Sequence, residues 1–251
     1  MNDTQWDYSG KTVVITGGGS GIGAELAVAF AGAGARVVIG GRNRDRLNTV
    51  CARQSGIEAR VVDVTRPEAM DTLFSDLDRV DVVIANAGAA HSAPVHKTGF
   101  GEWQDMIAVN LTGAFLTLQA GLARMQPGGR LLAVASTAGL KGYPYVAPYC
   151  AAKHGVIGLV RSLALEIADK GITVNALCPG FTETPLLEDS LQTIMNKTGR
   201  SRDDAYALLA KSNPQGRLVS TEEVVATALW VASPGASAIH GQALAIAGGE
   251  I

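Results

Sequence analysis

TVVITGGGSGIG, from Thr12 to Gly23, is the stretch that decides the fold of this chain. Its first five residues are all β-branched, which is typical of a buried strand, and the alanine-rich apolar run that follows predicts a helix. Glycines between a strand and a helix let the backbone turn tightly and let a diphosphate approach the free N–H groups of the helix start. A plain strand-to-helix turn is the alternative, but this context favours a dinucleotide site. The predicted cofactor-binding residues of the loop are Gly17, Ser20, Gly21, Ile22 and Gly23.

The same alternation of strand and helix continues along the chain. Further strands are predicted at 36–40, 58–62, 80–85, 130–135, 173–177 and 243–246. Further helices are predicted at 45–55, 67–77, 100–125 and 146–168, and a last one ends at Ala232. Short apolar strands separated by helices imply a parallel sheet that is covered on both faces. We therefore expect an α/β fold with a single doubly wound parallel sheet of the Rossmann type, helices on both faces, and one domain over residues 1–251.

The residues after the second strand predict which dinucleotide is bound. About 20 residues beyond the glycine loop, dinucleotide folds place the residue that meets the adenosine ribose. Gly41 holds that position here, and Arg42 follows it. A small residue leaves room for a 2′-phosphate, and a guanidinium can pair with it. The sequence thus predicts NADP(H) in preference to NAD(H), with Arg42 as a ligand, although this arginine and those after it could instead form a solvated helix start.

Two further groups of candidate cofactor residues follow strands. Asp63 and Val64 come after the third strand, and Asn86 and Gly88 come after the fourth. Ligands of doubly wound sheets lie at the carboxyl ends of the strands, so these residues are candidates for the adenine and for the cofactor backbone respectively. Asp63 could equally be a helix-capping or turn residue.

The run STAGLKGYPYVAPYCAAK, from Ser136 to Lys153, carries the candidate chemistry. Tyr149 and Lys153 are one helical turn apart, so their side chains share a face. A fixed ammonium favours the phenolate, which helps a tyrosine that normally titrates near 10 to exchange protons at neutral pH. Such a pair also occurs by chance on many helices. The inference therefore depends on the sheet, which brings Ser136 and the Pro179–Gly180 turn to the edge that carries the glycine loop.

Taken together, these motifs resemble the short-chain dehydrogenase/reductase family. The order and spacing of the motifs match the family from Lys11 to Gly249. The motifs are TGGGSGIG, the NAG that starts at Asn86, the VN that ends at Asn110, Ser136, YCAAK from Tyr149 and PGFTET from Pro179. The resemblance implies hydride transfer between a nicotinamide and a carbonyl/alcohol pair. It also implies a homotetramer in which the Tyr149 helix and its neighbour pack across a dimer interface.

The resemblance also assigns roles to single residues. Tyr149 would be the general acid in reduction and the base in oxidation, and Lys153 would lower its pKa and hold the nicotinamide ribose. Ser136 would hydrogen-bond the substrate oxygen, and Asn110 would hold a water that links Lys153 to solvent. The residues expected to line the nicotinamide are Pro179, Gly180, Thr182 and Thr184. Two departures from the family pattern are Ser20, where many NADP-dependent members have a basic residue, and Ala247, where an aspartate is usual.

Two segments are predicted to shape the substrate site. Between Ser136 and Tyr149, the residues Leu140, Tyr143, Tyr145 and Val146 are expected to form a substrate wall. Over about 181–218 the strand/helix alternation lapses, and a segment at this edge is well placed as a lid. The lid carries Lys197, Arg200, Arg202 and Lys211. These basic residues could bind a phosphate-bearing acyl carrier such as coenzyme A, and a solvated helix face explains them equally well.

Composition argues against several classes of protein. With 21 basic against 23 acidic residues the net charge is -2, whereas a nucleic-acid binder shows a basic patch. The three cysteines and four histidines have no ligand spacing, so we expect no metal. The polar start MNDTQWDYSGK lacks the apolar core of a signal peptide, and no apolar run reaches the roughly 18 residues of a membrane span. We expect a cytoplasmic protein without membrane contact.

The sequence thus predicts an NADPH-dependent carbonyl reductase, or in reverse a secondary-alcohol dehydrogenase. The small-molecule substrate is expected to be a hydrophobic ketone or a 3-oxoacyl thioester, because the motifs look most like polyketide ketoreductases and 3-oxoacyl thioester reductases. Two alternatives remain: an NAD-dependent alcohol or 3-hydroxyacyl-CoA dehydrogenase, and a catalytically silent nucleotide-binding regulator.

Overall fold

The computed structural model describes residues 6–251, so Met1–Gln5 of the polar start lie outside the described residues. Within this range seven strands form one parallel sheet in the order β3-β2-β1-β4-β5-β6-β7. The strands are β1 Thr12–Thr16, β2 Arg36–Gly41, β3 Ile57–Val61, β4 Val82–Ala85, β5 Arg130–Val134, β6 Thr173–Pro179 and β7 Ala243–Ile246. The strand order reverses between β1 and β4, which is where doubly wound sheets open a crevice for a ligand. The predicted fold class is confirmed.

Nine α-helices connect these strands within residues 6–251. They are α1 Gly21–Gly32, α2 Arg44–Cys51, α3 Ala69–Leu73, α4 Phe100–Ile107, α5 Gly113–Leu122, α6 Ala147–Glu166, α7 Pro185–Thr198, α8 Arg202–Ala210 and α9 Thr221–Ala232. Among the described residues, no helix has both the length and the apolar character that crossing a membrane requires.

Two hydrophobic cores cover the two faces of the sheet. Alternate residues of a strand point to opposite faces, so Val13 and Ile15 of β1 pack with α1 and α9, whereas Val14 packs on the other side with α5 and α6. Phe30 of α1 and Val160 of α6 are fully buried members of these two cores. The central strands are buried on both faces, which is why they are continuous apolar runs in the sequence.

Several predicted elements differ from the structure, among them the helix predicted at 45–55, which ends earlier, at Cys51. The predicted helix at 67–77 is reduced to the five residues of α3, and beyond it Asp76 has a left-handed conformation with a φ of 56°. The predicted continuous helix at 100–125 is divided into α4 and α5 by a π-turn, Ala108–Thr112. The sixth strand extends beyond the predicted 173–177 to Pro179.

Candidate active site

The glycine loop lies at the carboxyl end of β1, against the end of β4. Gly17 has a φ of 68°, and a Cβ there would lie 2.8 Å from the Cα of Ala87, so both the conformation and the space require glycine. The Asn86 side chain donates to the carbonyl oxygens of Thr16 at 2.9 Å and Gly17 at 3.3 Å. Asn86, predicted as a cofactor residue, therefore holds the loop in place through its amide group.

Helix α1 presents its N-terminus to this crevice. It begins at Gly21, so the backbone N–H groups of Gly21, Ile22 and Gly23 belong to its first turn. Within the described chain the Ser20 side chain makes no capping hydrogen bond to this helix, and its hydroxyl remains available to a ligand. Free N–H groups at the positive end of a 12-residue helix suit a diphosphate.

The predicted ribose and adenine residues lie at the ends of β2 and β3. Arg42 directly follows β2 and is exposed. Asp63 accepts hydrogen bonds from the backbone N–H of Thr65 at 3.0 Å and from its hydroxyl at 2.8 Å. The Thr65 backbone bond is the main cause that lowers the pKa of Asp63, and the charge of Arg42 adds to it. Asp63 thus forms a turn with Thr65 through one carboxylate oxygen, and Val64 beside it is buried.

Ser136, Tyr149 and Lys153 meet at the carboxyl end of β5. Ser136 follows β5, and its Oγ accepts from the N–H of Ala138 at 3.1 Å, which leaves its own hydrogen free to donate. Tyr149 lies in the first turn of α6, and Lys153 lies one turn further along. The Lys153 Nζ is 5.6 Å from the centre of the Tyr149 ring and donates to the carbonyl of Val134 at 2.8 Å.

Burial dominates the electrostatics of this pair. Lys153 is 4% exposed, and the loss of water lowers its pKa from 10.5 to about 8. Burial also raises the pKa of Tyr149, while the nearby Ser136 acts in the opposite direction. In this structure the shift of Tyr149 is thus opposite to the one expected from Lys153, because burial disfavours the phenolate more than its surroundings favour it.

Asn110 lies in the π-turn and connects this cluster to the end of β4. It is 1% exposed, and its Nδ2 donates to the carbonyls of Ala89 at 2.9 Å and Met106 at 3.1 Å. Its Oδ1 accepts from the N–H of Ala89 at 3.2 Å. A Cβ on Gly88 would lie 2.8 Å from this Oδ1 and 3.7 Å from the Lys153 Nζ. The structure therefore brings Gly88, Asn110 and Lys153 together.

The turn after β6 closes the crevice from the other side. Gly180, next to Pro179, donates to the carbonyl of Ile246 at 3.0 Å, and the buried Thr182 donates to the carbonyl of Gly180 at 2.9 Å. Thr184 precedes α7 and lies against the glycine loop, because a Cβ on Gly21 would be 3.4 Å from its Cβ. Gly21 and Thr184, two of the predicted cofactor residues, are thus neighbours.

The predicted lid consists of α7 and α8, which pack around Leu187, Leu191 and Ala205. A cavity of about 740 Å³ opens here, and it is lined by Glu183, Thr184, Pro185, Leu187, Glu188, Asp189, Arg202 and Tyr206. The one basic residue among them, Arg202, is paired with Glu188 at 2.6 Å. The lining is therefore acidic, which differs from the basic character that the sequence of the lid suggested.

Glu250 is a site residue that the sequence analysis missed. Its side chain is 2% exposed and contacts Lys141 and Tyr143 of the predicted substrate wall. A glutamate is normally exposed, so nothing in the sequence marks this one as buried. Within residues 6–251, no group of three or more histidine, cysteine, aspartate or glutamate side chains could hold a metal ion.

Known proteins with this sequence pattern and fold are oxidoreductases. A family model described as enoyl-(acyl carrier protein) reductase matches residues 17–250. A D-beta-hydroxybutyrate dehydrogenase of Rhizobium meliloti is 34% identical over 252 residues, which covers 95% of this chain and 98% of that protein. A 3-oxoacyl-(acyl-carrier-protein) reductase of Rickettsia bellii is 29% identical and covers 98% of each. The crystal structure of an actinorhodin polyketide ketoreductase variant with NADPH is similar with a TM-score of 0.90 and 33% identity, and the match covers 96% of this chain and 97% of that one.

Proposed function

The chain belongs to the short-chain dehydrogenase/reductase family and is an oxidoreductase that acts on hydroxyl and keto groups; from this premise we propose that Tyr149, Lys153, Ser136 and Asn110 carry out an NADPH-dependent carbonyl reduction. The observation that supports these four residues best is their placement. Ser136, Tyr149 and Lys153 meet at the end of β5, and Asn110 lies beside Gly88 and Lys153. This cluster lies at the carboxyl edge of the sheet, where the glycine loop also lies.

Each residue has a role that follows from its surroundings. When bound, the nicotinamide supplies the hydride in reduction and accepts it in oxidation. The Ser136 hydroxyl can donate to the substrate oxygen, because its own oxygen is already held by the N–H of Ala138. Tyr149 keeps its proton at neutral pH, because burial raises its pKa, and it can give this proton to the oxygen as the carbonyl is reduced.

Lys153 and Asn110 support the proton donor. The pKa of Lys153 is about 8, which is close to neutral pH, so its amine can both hold and release a proton. Both hydrogens of the Asn110 amide are used by backbone carbonyls, so only its Oδ1 has capacity left to accept from a water. The predicted water would therefore lie next to this Oδ1, beside Gly88 and Lys153.

NADP(H) is proposed over NAD(H) because Arg42 is exposed at the end of β2 and Gly41 before it has no side chain. The polyketide ketoreductase of similar structure was crystallised with NADPH. Arg42 is the candidate ligand for the 2′-phosphate, and the first turn of α1 is the candidate site for the diphosphate. The alternative is an NAD-dependent dehydrogenase, which a higher kcat/KM with NADH than with NADPH would indicate.

The proposed substrate is a hydrophobic ketone or a 3-oxoacyl thioester. Relatives include a reductase of 3-oxoacyl groups on acyl carrier protein and a polyketide ketoreductase, which supports this class. The segment 181–218 is proposed to close over the substrate, and residues 1–251 are proposed to form one domain. The acidic cavity between α7 and α8 disfavours the idea that the lid binds the phosphates of an acyl carrier.

We further propose a cytoplasmic homotetramer. Helix α6 exposes Leu165, which is 83% accessible, and α5 exposes Phe115. Large apolar side chains on the surface are typical of protein–protein interfaces. These helices are the Tyr149 helix and its neighbour, where the family resemblance places a dimer interface.

The proposal is tested by substituting Tyr149→Phe and screening ketones and 3-oxoacyl thioesters for NADPH oxidation. We expect kcat to fall at least about 100-fold, the usual effect of losing a general acid, while NADPH binding is retained. Tyr8→Phe, which removes a tyrosine hydroxyl that donates to the Leu229 carbonyl away from the site, is the matched control. If Tyr149→Phe keeps wild-type activity, the proposed mechanism is wrong. A wild-type chain that binds NADPH and reduces no ketone would instead be a nucleotide-binding regulator.

A further inference from the structure

The segment after β7 turns back toward the substrate wall. Gly248 and Gly249 have φ values of 59° and 93°, and the N–H of Glu250 donates to the carbonyl of Ala247 at 3.1 Å. A Cβ on Gly248 would lie 2.0 Å from the Asn213 Oδ1, so only glycine fits this turn. The turn directs the Glu250 side chain toward Gly180, where a Cβ would lie 3.3 Å from its Oε2.

The Glu250 carboxylate is held by two side chains of the loop between Ser136 and Tyr149. The Tyr143 hydroxyl donates to its Oε1 at 2.6 Å, and the Lys141 ammonium lies 3.0 Å from the same atom. A carboxylate only accepts, so the Tyr143 hydrogen belongs to this bond. The Thr137 hydroxyl, 2.8 Å from the Tyr143 oxygen, is then the donor of the second bond. A chain of hydrogen bonds thus joins Glu250 to the residue next to Ser136.

Lys141 is the only charged residue between Leu140 and Val146, and Glu250 neutralises it. Its ammonium also lies 5.0 Å from the centre of the Tyr143 ring, so it is held on the loop from two sides. A carboxylate with 2% exposure is costly to bury unless it is paired and hydrogen-bonded, and here it is both. Replacing it would leave Lys141, which is 40% exposed, without its counter-ion.

We propose that Glu250 is a positioning residue that determines substrate selectivity. Its carboxylate holds the loop from Leu140 to Val146 against the end of β6, and it masks the charge of Lys141, so that the site favours ketones without a carboxylate. This inference rests on the proposed function, because the loop lines a substrate only if Ser136 and Tyr149 bind the carbonyl.

The first test compares acetoacetate with its methyl ester, which share a 3-oxo skeleton and differ in charge. In Glu250→Gln we expect the ratio of kcat/KM for acetoacetate to kcat/KM for the ester to rise at least about threefold, through KM, as a released charge on a partly exposed lysine allows. Glu68→Gln removes an exposed carboxylate from a distant surface and should leave the ratio unchanged. The double variant Lys141→Met/Glu250→Gln should return the ratio to the wild-type value. A smaller rise, or a rise that persists in the double variant, overturns the proposal.

The second test does not require activity. Amide hydrogen exchange across residues 137–146 should become faster in Glu250→Ala and stay unchanged in Glu68→Ala, because the loop loses both the acceptor for Tyr143 and the ion pair to Lys141. Unchanged exchange in Glu250→Ala overturns the positioning role, whatever the enzyme reduces. If the wild-type chain reduces neither acetoacetate nor its ester nor any other ketone, the proposed function fails, and this exchange measurement alone decides the role of Glu250.

Discussion

Lys153 illustrates how a single buried charge lowers the stability of the fold that it serves. Its pKa is about 8 in the folded chain against 10.5 for an exposed lysine. Between these two pH values the unfolded chain binds a proton that the folded chain does not, so stability rises with pH across this window. Below pH 8 the buried ammonium lowers the free energy of unfolding by about 3 kcal/mol.

We therefore expect Lys153→Met to gain stability relative to the wild type at pH 7, and this gain to shrink as the pH rises from 8 to 10.5. Urea unfolding of both chains across this range measures it. Lys170→Met, at an exposed position after α6, should show no such trend. A stability difference that does not vary with pH would mean that Lys153 is not destabilised by its burial.

The proposed preference for NADP(H) depends on Arg42. Arg42→Ala should lower kcat/KM for NADPH by about 10- to 100-fold, because a hydrogen bond to a charged group contributes about 1.5–3 kcal/mol. The value for NADH should stay the same, since NADH lacks the 2′-phosphate. Arg44→Ala, in the first turn of α2, is the matched control. Equal losses with both cofactors would show that Arg42 does not select NADP(H).

At the scale of elements, the sequence predicted the central strands well and two helices poorly. The strands are continuous apolar runs, because they are buried on both faces, and this pattern is strong even in a single sequence. α3 ends at Leu73, three residues before the left-handed Asp76, and the π-turn at Ala108–Thr112 contains Asn110, whose side chain contacts Ala89. The family resemblance pointed to Asn110, but its bonds to Ala89 could not be foreseen, because they join segments 21 residues apart.

Helix α9 offers a test of a local prediction. Ser220 and Glu223 form a capping box at its start: the Glu223 carboxylate accepts from the N–H of Ser220 at 2.9 Å, and the Ser220 Oγ accepts from the N–H of Glu223 at 3.3 Å. Ser220→Ala should lower the free energy of unfolding by about 1 kcal/mol. Ser237→Ala, at an exposed position, should have no measurable effect in the same urea titration. Equal stability of the two variants would contradict the capping role.

At the scale of the whole molecule, the apolar surface of α5 and α6 predicts assembly. Light scattering should give four times the 25.9 kDa mass of one chain. Leu165→Asp should shift the mass to a smaller species, because a charge in an apolar interface has no partner there. Leu208→Asp, which changes a comparably apolar exposed residue of the lid, should remain tetrameric. A wild-type monomer would refute the proposal.

The sequence located most of the candidate site because the topology of a parallel sheet places strand ends together. Ser136, Asn86 and Gly180 follow three different strands, and the sheet brings them to one edge. The sequence could not locate Glu250, because its contact with Tyr143 spans 107 positions and depends on a turn after the last strand. Its burial is a property of the packed chain and leaves no local pattern.

The π-turn at Ala108–Thr112 limits which insertions and deletions this chain can accept during evolution. Such a turn contains one residue more than the α-helix around it needs, so it arises by an insertion and is lost by a deletion. Deleting one residue there would let the chain close into a continuous α-helix, so α4 and α5 would keep their faces while the backbone around Asn110 would shift. The position of Asn110 is therefore set by the spacing of the chain as much as by the identity of its side chain, and lineages that retain its bonds to Ala89 must also retain the length of this segment.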